Sequence, residues 1–373
     1  MHVGIGVFFQ NLGRTRSDGE VYAHELSLAD LAEPLGFDSV WAAEHHFTDY
    51  TMCPNVLQFL TWVGARTQRV GLGAMVVVLP WHDPVRVAEG YTVLDHLSGG
   101  RALLGIGRGL ARCEFEGFRG SMPESRPRFV EYAEAILTAL ETGHLEYQGV
   151  HYRQPRVAIR PFPMKSFRGR AWASAVSPQS AEVMARLGVG IMIIAQKPWE
   201  AALEELGEYR RIYREVNAAE APRPLLASFV AVHESEQGAR EMYERYILRY
   251  CASTLEHYEF ANAGLADIPG YEYYGRLAAR IEKHGPDQFA RFLADLQVWG
   301  TPDQVAEQML EHQRMLDSAG VIGIFSYGGM PDDVAKANLQ LFSEQVLPRL
   351  HAHDPRGAGF GADPPALRLG GLD

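Results

Sequence analysis

The run Val70-Gly71-Leu72-Gly73-Ala74-Met75-Val76-Val77-Val78-Leu79 is followed by Asp83-Pro84 and then by Ala102-Leu103-Leu104-Gly105-Ile106-Gly107. It reads as strand, helix, strand. Met75 to Val78 is too apolar for a sheet with one wet face, so the strand is buried on both sides. Asp83 is a good N-cap and Pro84 a good first helical residue, which predicts a helix over 84–98. Two buried strands joined by a helix form a parallel unit, and the question is how often the unit repeats.

Working outward, the same rhythm recurs. Strands are expected at Val3 to Phe9, Ser39 to Ala43, Ala171 to Ala173, Val189 to Ile194, Leu225 to Val232 and Val321 to Phe325. Helices are expected at 21–35, 55–68, 125–141, 178–187, 199–217, 236–258, 302–319 and 332–350. With the two strands already quoted, eight strands alternate with helices, which predicts a closed (β/α)8 TIM barrel with insertions rather than an open sheet. The chain of 373 residues is long enough for such a barrel. One domain is expected over residues 1–353. Two segments break the rhythm: 143–170, read as a small hairpin around Gly149, and 259–300, a long insertion rich in tyrosine and glycine. From Asp354 the Gly/Pro-rich tail, 354–373, is expected to be disordered.

Composition narrows the function. Hydrophobic residues make up 47% and charged residues 22%, which excludes a disordered chain. With 35 basic against 46 acidic residues the net charge is −11, which argues against a nucleic-acid groove. Cys53, Cys113 and Cys251 form neither a disulfide framework nor a zinc spacing, and the expected compartment is a reducing cytoplasm. No secretion signal and no membrane span is read.

Four constellations carry chemistry. Glu44-His45-His46-Phe47 follows the second strand, where a barrel carries its active site. His45 reads either as a catalytic group or as a structural hydrogen-bonding histidine. A metal reading would prefer His-x-His, so no metal site is expected. Gly105-Ile106-Gly107-Arg108-Gly109-Leu110 lacks the third glycine of a dinucleotide fingerprint, but its bare backbone lets a flat ligand approach and Arg108 can hold a phosphate. Ser174-Ala175-Val176-Ser177-Pro178-Gln179-Ser180 opens a helix, a place where free N–H groups favour an anion, and the case strengthens if Arg108 and Arg126 converge there. Gly73 to Val76 could line a planar ring or be plain core.

These stretches, with Leu79-Pro80-Trp81-His82-Asp83-Pro84-Val85-Arg86 and Leu94-Asp95-His96-Leu97-Ser98-Gly99-Gly100-Arg101, resemble the bacterial luciferase-like flavin monooxygenases in order and spacing. The resemblance covers roughly residues 1–200 and, more weakly, 299–350. It implies reduced FMN and O2 as reactants, with a C4a-(hydro)peroxyflavin oxygenating an apolar organic molecule. It implies a separate NAD(P)H:flavin reductase and a homodimer. It assigns catalysis to His45 and Glu44, and cofactor binding to Met75, Val76, Arg108, Arg126, Val176, Ser177 and Ser180, with a cis peptide at Met75–Val76. Trp41, Phe9, Trp81 and the tyrosines of 259–300 are candidates for the apolar wall. The chain departs from the luciferase catalytic subunit at Gly107, where that subunit has a cysteine, and at Val176, where it has a glutamate. The alternatives are an F420-dependent hydride-transferring oxidoreductase, a noncatalytic flavin-binding accessory subunit and, more distantly, a metal-dependent hydrolase.

Overall fold

The computed structural model describes residues 1–174 and 178–353. The tail from Asp354, and Val176 and Ser177 with it, lie outside the described residues. In chain order the strands are β1 (His2–Val7), β2 (Ser39–Ala42), β3 (Gly71–Ala74), β4 (Val77–Val78), β5 (Ala102–Gly107), β6 (His144–Gln148), β7 (Arg153–Ala158), β8 (Ala171–Ser174), β9 (Gly190–Ile194), β10 (Leu225–Val232), β11 (Val298–Gly300) and β12 (Gly320–Ile324).

The parallel sheet closes on itself. β1 pairs with β2 (Ile5 opposite Val40), β2 with β3 (Trp41 opposite Gly73), and β3 and β4 with β5. β5 then pairs with β8, β8 with β9, β9 with β10 and β10 with β12. Finally β12 returns to β1, with His2 opposite Gly320. The result is the expected barrel, in which β3 and β4 together fill one strand position. Its strands are apolar along their whole length because the interior covers one face and helices cover the other. Trp41, Leu103, Trp172, Met192, Leu225, Ala227 and Ile322 form one buried cluster drawn from six strands, the filling of the barrel. A much larger cluster joins the strands to the surrounding helices.

The local signals behave as read. Asp83 accepts from the N–H groups of Val85 and Arg86, Pro84 opens the helix Pro84–Ser98, and Gly99 closes it at φ 71°. Asp95 on that helix holds Arg170 bidentately at 2.6 and 2.9 Å in a buried ion pair and also accepts from Ala102 N–H. It thereby fixes the helix against the starts of β5 and β8. The hairpin around Gly149 is β6 paired with β7.

One expectation is corrected: the run Val70 to Leu79 is two strands, β3 and β4, with the cis Met75–Val76 peptide between them. The insertion 259–300 holds helices Glu272–His284 and Pro286–Asp295 and ends in β11, which pairs with β10 beside the barrel. All three cysteines are free. Among the described residues no helix is long and apolar enough to cross a membrane.

Candidate active site

The carboxyl ends of β2, β4, β5, β8 and β9 surround a cleft with a cavity of about 140 Å³. Glu44, His45, Met75, Val76, Arg108, Arg126 and Ser180, all singled out from sequence, line it. Backbone approach is close here. A Cβ on Gly105 would overlap the carbonyl of Ala74, and one on Gly107 would overlap the side chain of Val76. Any side chain at position 107 would therefore have to displace Val76.

His45 and His46 leave the strand in different directions, as adjacent residues must. His46 turns to Glu44 (2.9 Å) and packs on Trp81 and Phe118. Both oxygens of Glu44 are engaged: Oε1 accepts from His46 and from His82 at 2.6 Å, and Oε2 accepts from Val78 N–H. Burial pushes this carboxyl up, but the hydrogen bonds from the two histidines, the charge of His82 and the Val78 N–H outweigh it and hold it below its ordinary value. Glu44 thus braces β2 against the chain that follows the cis peptide.

His45 belongs to a second buried network. Its Nδ1 lies 2.9 Å from Glu114 Oε1, which also accepts from His46 N–H. A carboxylate can only accept, so the proton between them sits on Nδ1. That leaves a lone pair on Nε2, which faces Tyr258 OH at 3.2 Å. His257 Nε2 stands 3.1 Å from the same Nδ1, and its other nitrogen is 3.3 Å from Thr48 Oγ1. Burial, then the neighbouring His45, pushes the His257 imidazole far below its ordinary value, so it is neutral at pH 7.

The charged end of the cleft is built by two arginines. Arg108 Nη1 and Arg126 Nη2 both donate to the carbonyl of Gly270, at 2.8 and 3.2 Å. The Arg108 guanidinium lies over the Tyr271 ring, and Tyr271 OH reaches back to Ser125 and to the Gly109 carbonyl. Ser180 lines the same cleft from the first turn of the helix Pro178–Leu187.

Of the wall candidates, Trp81 and Tyr274 line the cleft. Trp41 does not: it is buried in the barrel filling, where its indole donates to Ser39. Phe9 packs against Tyr22 and Phe59 instead. Sequence reading missed the roles of His82, Glu114, His257 and Tyr258. His82 stood inside a quoted motif. Glu114 carries a faint signal, a carboxylate one turn into a helix at the end of β5. His257 and Tyr258, at the end of a long helix, carry none.

The family model described as luciferase-like monooxygenase matches residues 1–319. The uncharacterized protein y4wF of Sinorhizobium fredii is 36% identical over 174 residues, 46% of this chain and 51% of that one. The alkanal monooxygenase alpha chain of Photobacterium leiognathi is 26% identical over 351 residues, 91% of this chain and 96% of that one. The oxygenase component of the flavin-dependent trigonelline monooxygenase of Acinetobacter baylyi is 25% identical over 243 residues, 64% of this chain and 67% of that one. Among solved structures, the monooxygenase RslO1 of Streptomyces bottropensis superposes with a TM-score of 0.74 at 26% identity, covering 93% of this chain and 99% of that one.

Proposed function

The chain belongs to the luciferase-like monooxygenase family, and from that premise we propose that it is the oxygenase component of a two-component system. It takes reduced FMN from a separate NAD(P)H:flavin reductase and uses O2 to oxygenate an apolar organic molecule. The observation that carries this reading is the meeting of Arg108 and Arg126 on one oxygen atom in the cleft that also holds His45.

The residues present fit a flavin mononucleotide. Two guanidinium groups aimed at one acceptor suit a phosphate dianion, whose oxygens would take over the bonds that Gly270 now accepts. Ser180 adds a hydroxyl on the same wall. Met75, Val76, Val78 and Gly107 offer an apolar surface for a planar ring. When bound, reduced flavin supplies the electrons that activate O2.

The protein's own part is shielding and proton handling. Trp81, Phe129, Met184 and Tyr274 line the cleft and exclude water from the reacting centre. Glu114 fixes the tautomer of His45, so that Nε2 can accept or return a proton at the cleft. Glu44 is a positioning residue in this scheme. The pairing of two copies into a homodimer belongs to the same proposal.

The test supplies the chain with FMN, a flavin reductase, NADH and 18O2, and screens apolar organic compounds by mass. One 18O atom gained per product molecule, absent without the reductase, is the expected result. Turnover with reduced F420 and no oxygen incorporation would overturn the reading in favour of hydride transfer.

A further inference from the structure

The buried cluster beside the cleft contains more lone pairs than protons. His45 Nδ1, His257 Nε2 and Glu114 Oε1 are separated by 3.1, 2.9 and 3.8 Å. Ligand atoms on a four-coordinate Zn2+, with bonds of about 2.0–2.1 Å, lie roughly 3.3–3.4 Å apart. The three separations straddle that spacing, each within about half an ångström of it.

The far side of each group is tied down as well. His45 Nε2 faces Tyr258 OH at 3.2 Å, His257 Nδ1 faces Thr48 Oγ1 at 3.3 Å, and Glu114 Oε1 takes the His46 N–H at 2.8 Å. Histidines that bind a metal through one nitrogen are characteristically held by a hydrogen bond at the other.

We propose that His45, Glu114 and His257 form a site for one Zn2+ ion. Binding moves the single ring proton of neutral His45 from Nδ1 to Nε2, with no net proton released; Nε2–H then donates to Tyr258 OH, and Thr48 accepts from His257 Nδ1–H. Two imidazoles and one carboxylate make a three-ligand set whose fourth position is open to water or to the cleft, since His45 and Glu114 both line it. Two neutral nitrogens with one carboxylate select Zn2+ over Mg2+ or Ca2+, which prefer all-oxygen sites. A Zn2+ ion there would hold His45 as a fixed ligand and stop it from exchanging protons. That inhibitory consequence rests on the proposed function; the binding does not.

The experiment titrates chelator-treated, flavin-free chain with ZnCl2 by calorimetry and examines the wild-type complex by zinc-edge X-ray absorption. One Zn2+ per chain is expected, with two imidazole ligands, Zn–N of about 2.0–2.1 Å and no sulfur. His257→Gln and Glu114→Gln, checked for folding by circular dichroism, should each weaken binding about a hundredfold or more, beyond what loss of an outer hydrogen bond causes. Absence of binding, a Zn–S distance, or a folded His257→Gln chain with unchanged affinity would overturn the proposal. FMN titration of the same metal-free preparation reads the flavin reading separately, so failure of one is distinguishable from failure of the other.

Discussion

Arg108 and Arg126 come from different elements, the end of β5 and the start of the helix Ser125–Thr142, yet their guanidinium groups share one acceptor, the carbonyl oxygen of Gly270. Burial, and then the charge of Arg108, pulls the Arg126 guanidinium below its ordinary value. Two like charges at one point are relieved by an anion. Arg108→Ala and Arg126→Ala should each weaken FMN binding by about 1.5–3 kcal/mol, roughly 10- to 150-fold, as expected for loss of a charge-assisted hydrogen bond. Fluorescence titration of FMN measures this. Wild-type affinity in both variants would remove the phosphate site from these residues.

The contrast between Arg108 and Glu114 shows what is legible in a sequence and what is not. The barrel was readable because buried parallel strands are apolar throughout and helices between them carry caps such as Asp83-Pro84. Arg108 was readable because it ends a glycine-rich strand, a place where backbone must be bare. Glu114 and His257 act together although 143 positions separate them, and only the tertiary fold brings Glu114 Oε1 within 3.8 Å of His257 Nε2. β11 escaped notice because it is 3 residues long and lies in a helical insertion. The break between β3 and β4 leaves no mark on hydrophobic periodicity, since Met75 and Val76 are as apolar as their neighbours.

Glu25 makes a prediction about stability. It is buried on the helix Asp18–Leu31, accepts from Ser326 Oγ at 2.6 Å, and burial pushes its carboxyl up to about 8. Its folded value lies above its unfolded value of 4.5, so the native state keeps a proton that the unfolded chain releases. Stability from this group is therefore complete below pH 4.5 and is lost as pH rises towards 8, at a slope of up to about 1.4 kcal/mol per pH unit. Glu25→Gln should flatten the decline in urea midpoint between pH 5 and pH 8 and should raise stability at the alkaline end. Parallel curves for variant and wild type would show that Glu25 is ionised in the fold.

The homodimer proposal has a surface to test. Val93 and Leu97 lie one turn apart on the helix Pro84–Ser98 and are 41% and 64% exposed. Apolar side chains at that spacing form a stripe suited to a two-fold contact. Light scattering at micromolar concentration should give twice the chain mass of 41.5 kDa, and Leu97→Glu should shift the population towards single chains. A wild-type mass of 41.5 kDa under those conditions would count against pairing.

The proposed mechanism turns on His45. Its Nδ1 is anchored to Glu114 and its Nε2 is turned to Tyr258 at the cleft. The arginines that meet on Gly270 do not touch it, so His45→Ala should bind FMN with near wild-type affinity. Product formation should fall roughly 10²–10⁴-fold, the range for loss of a proton-transferring group. Oxygen uptake should continue, with the oxygen released as hydrogen peroxide, because activation of O2 belongs to the flavin and its productive use to the site. Glu114→Gln should fall between the two, since it leaves the imidazole in place but loosens control of its tautomer. The ratio of product to oxygen consumed, measured with an oxygen electrode and mass spectrometry, separates these outcomes. If His45 is only a structural partner of Glu114, His45→Ala should melt earlier while keeping the wild-type ratio of product to oxygen.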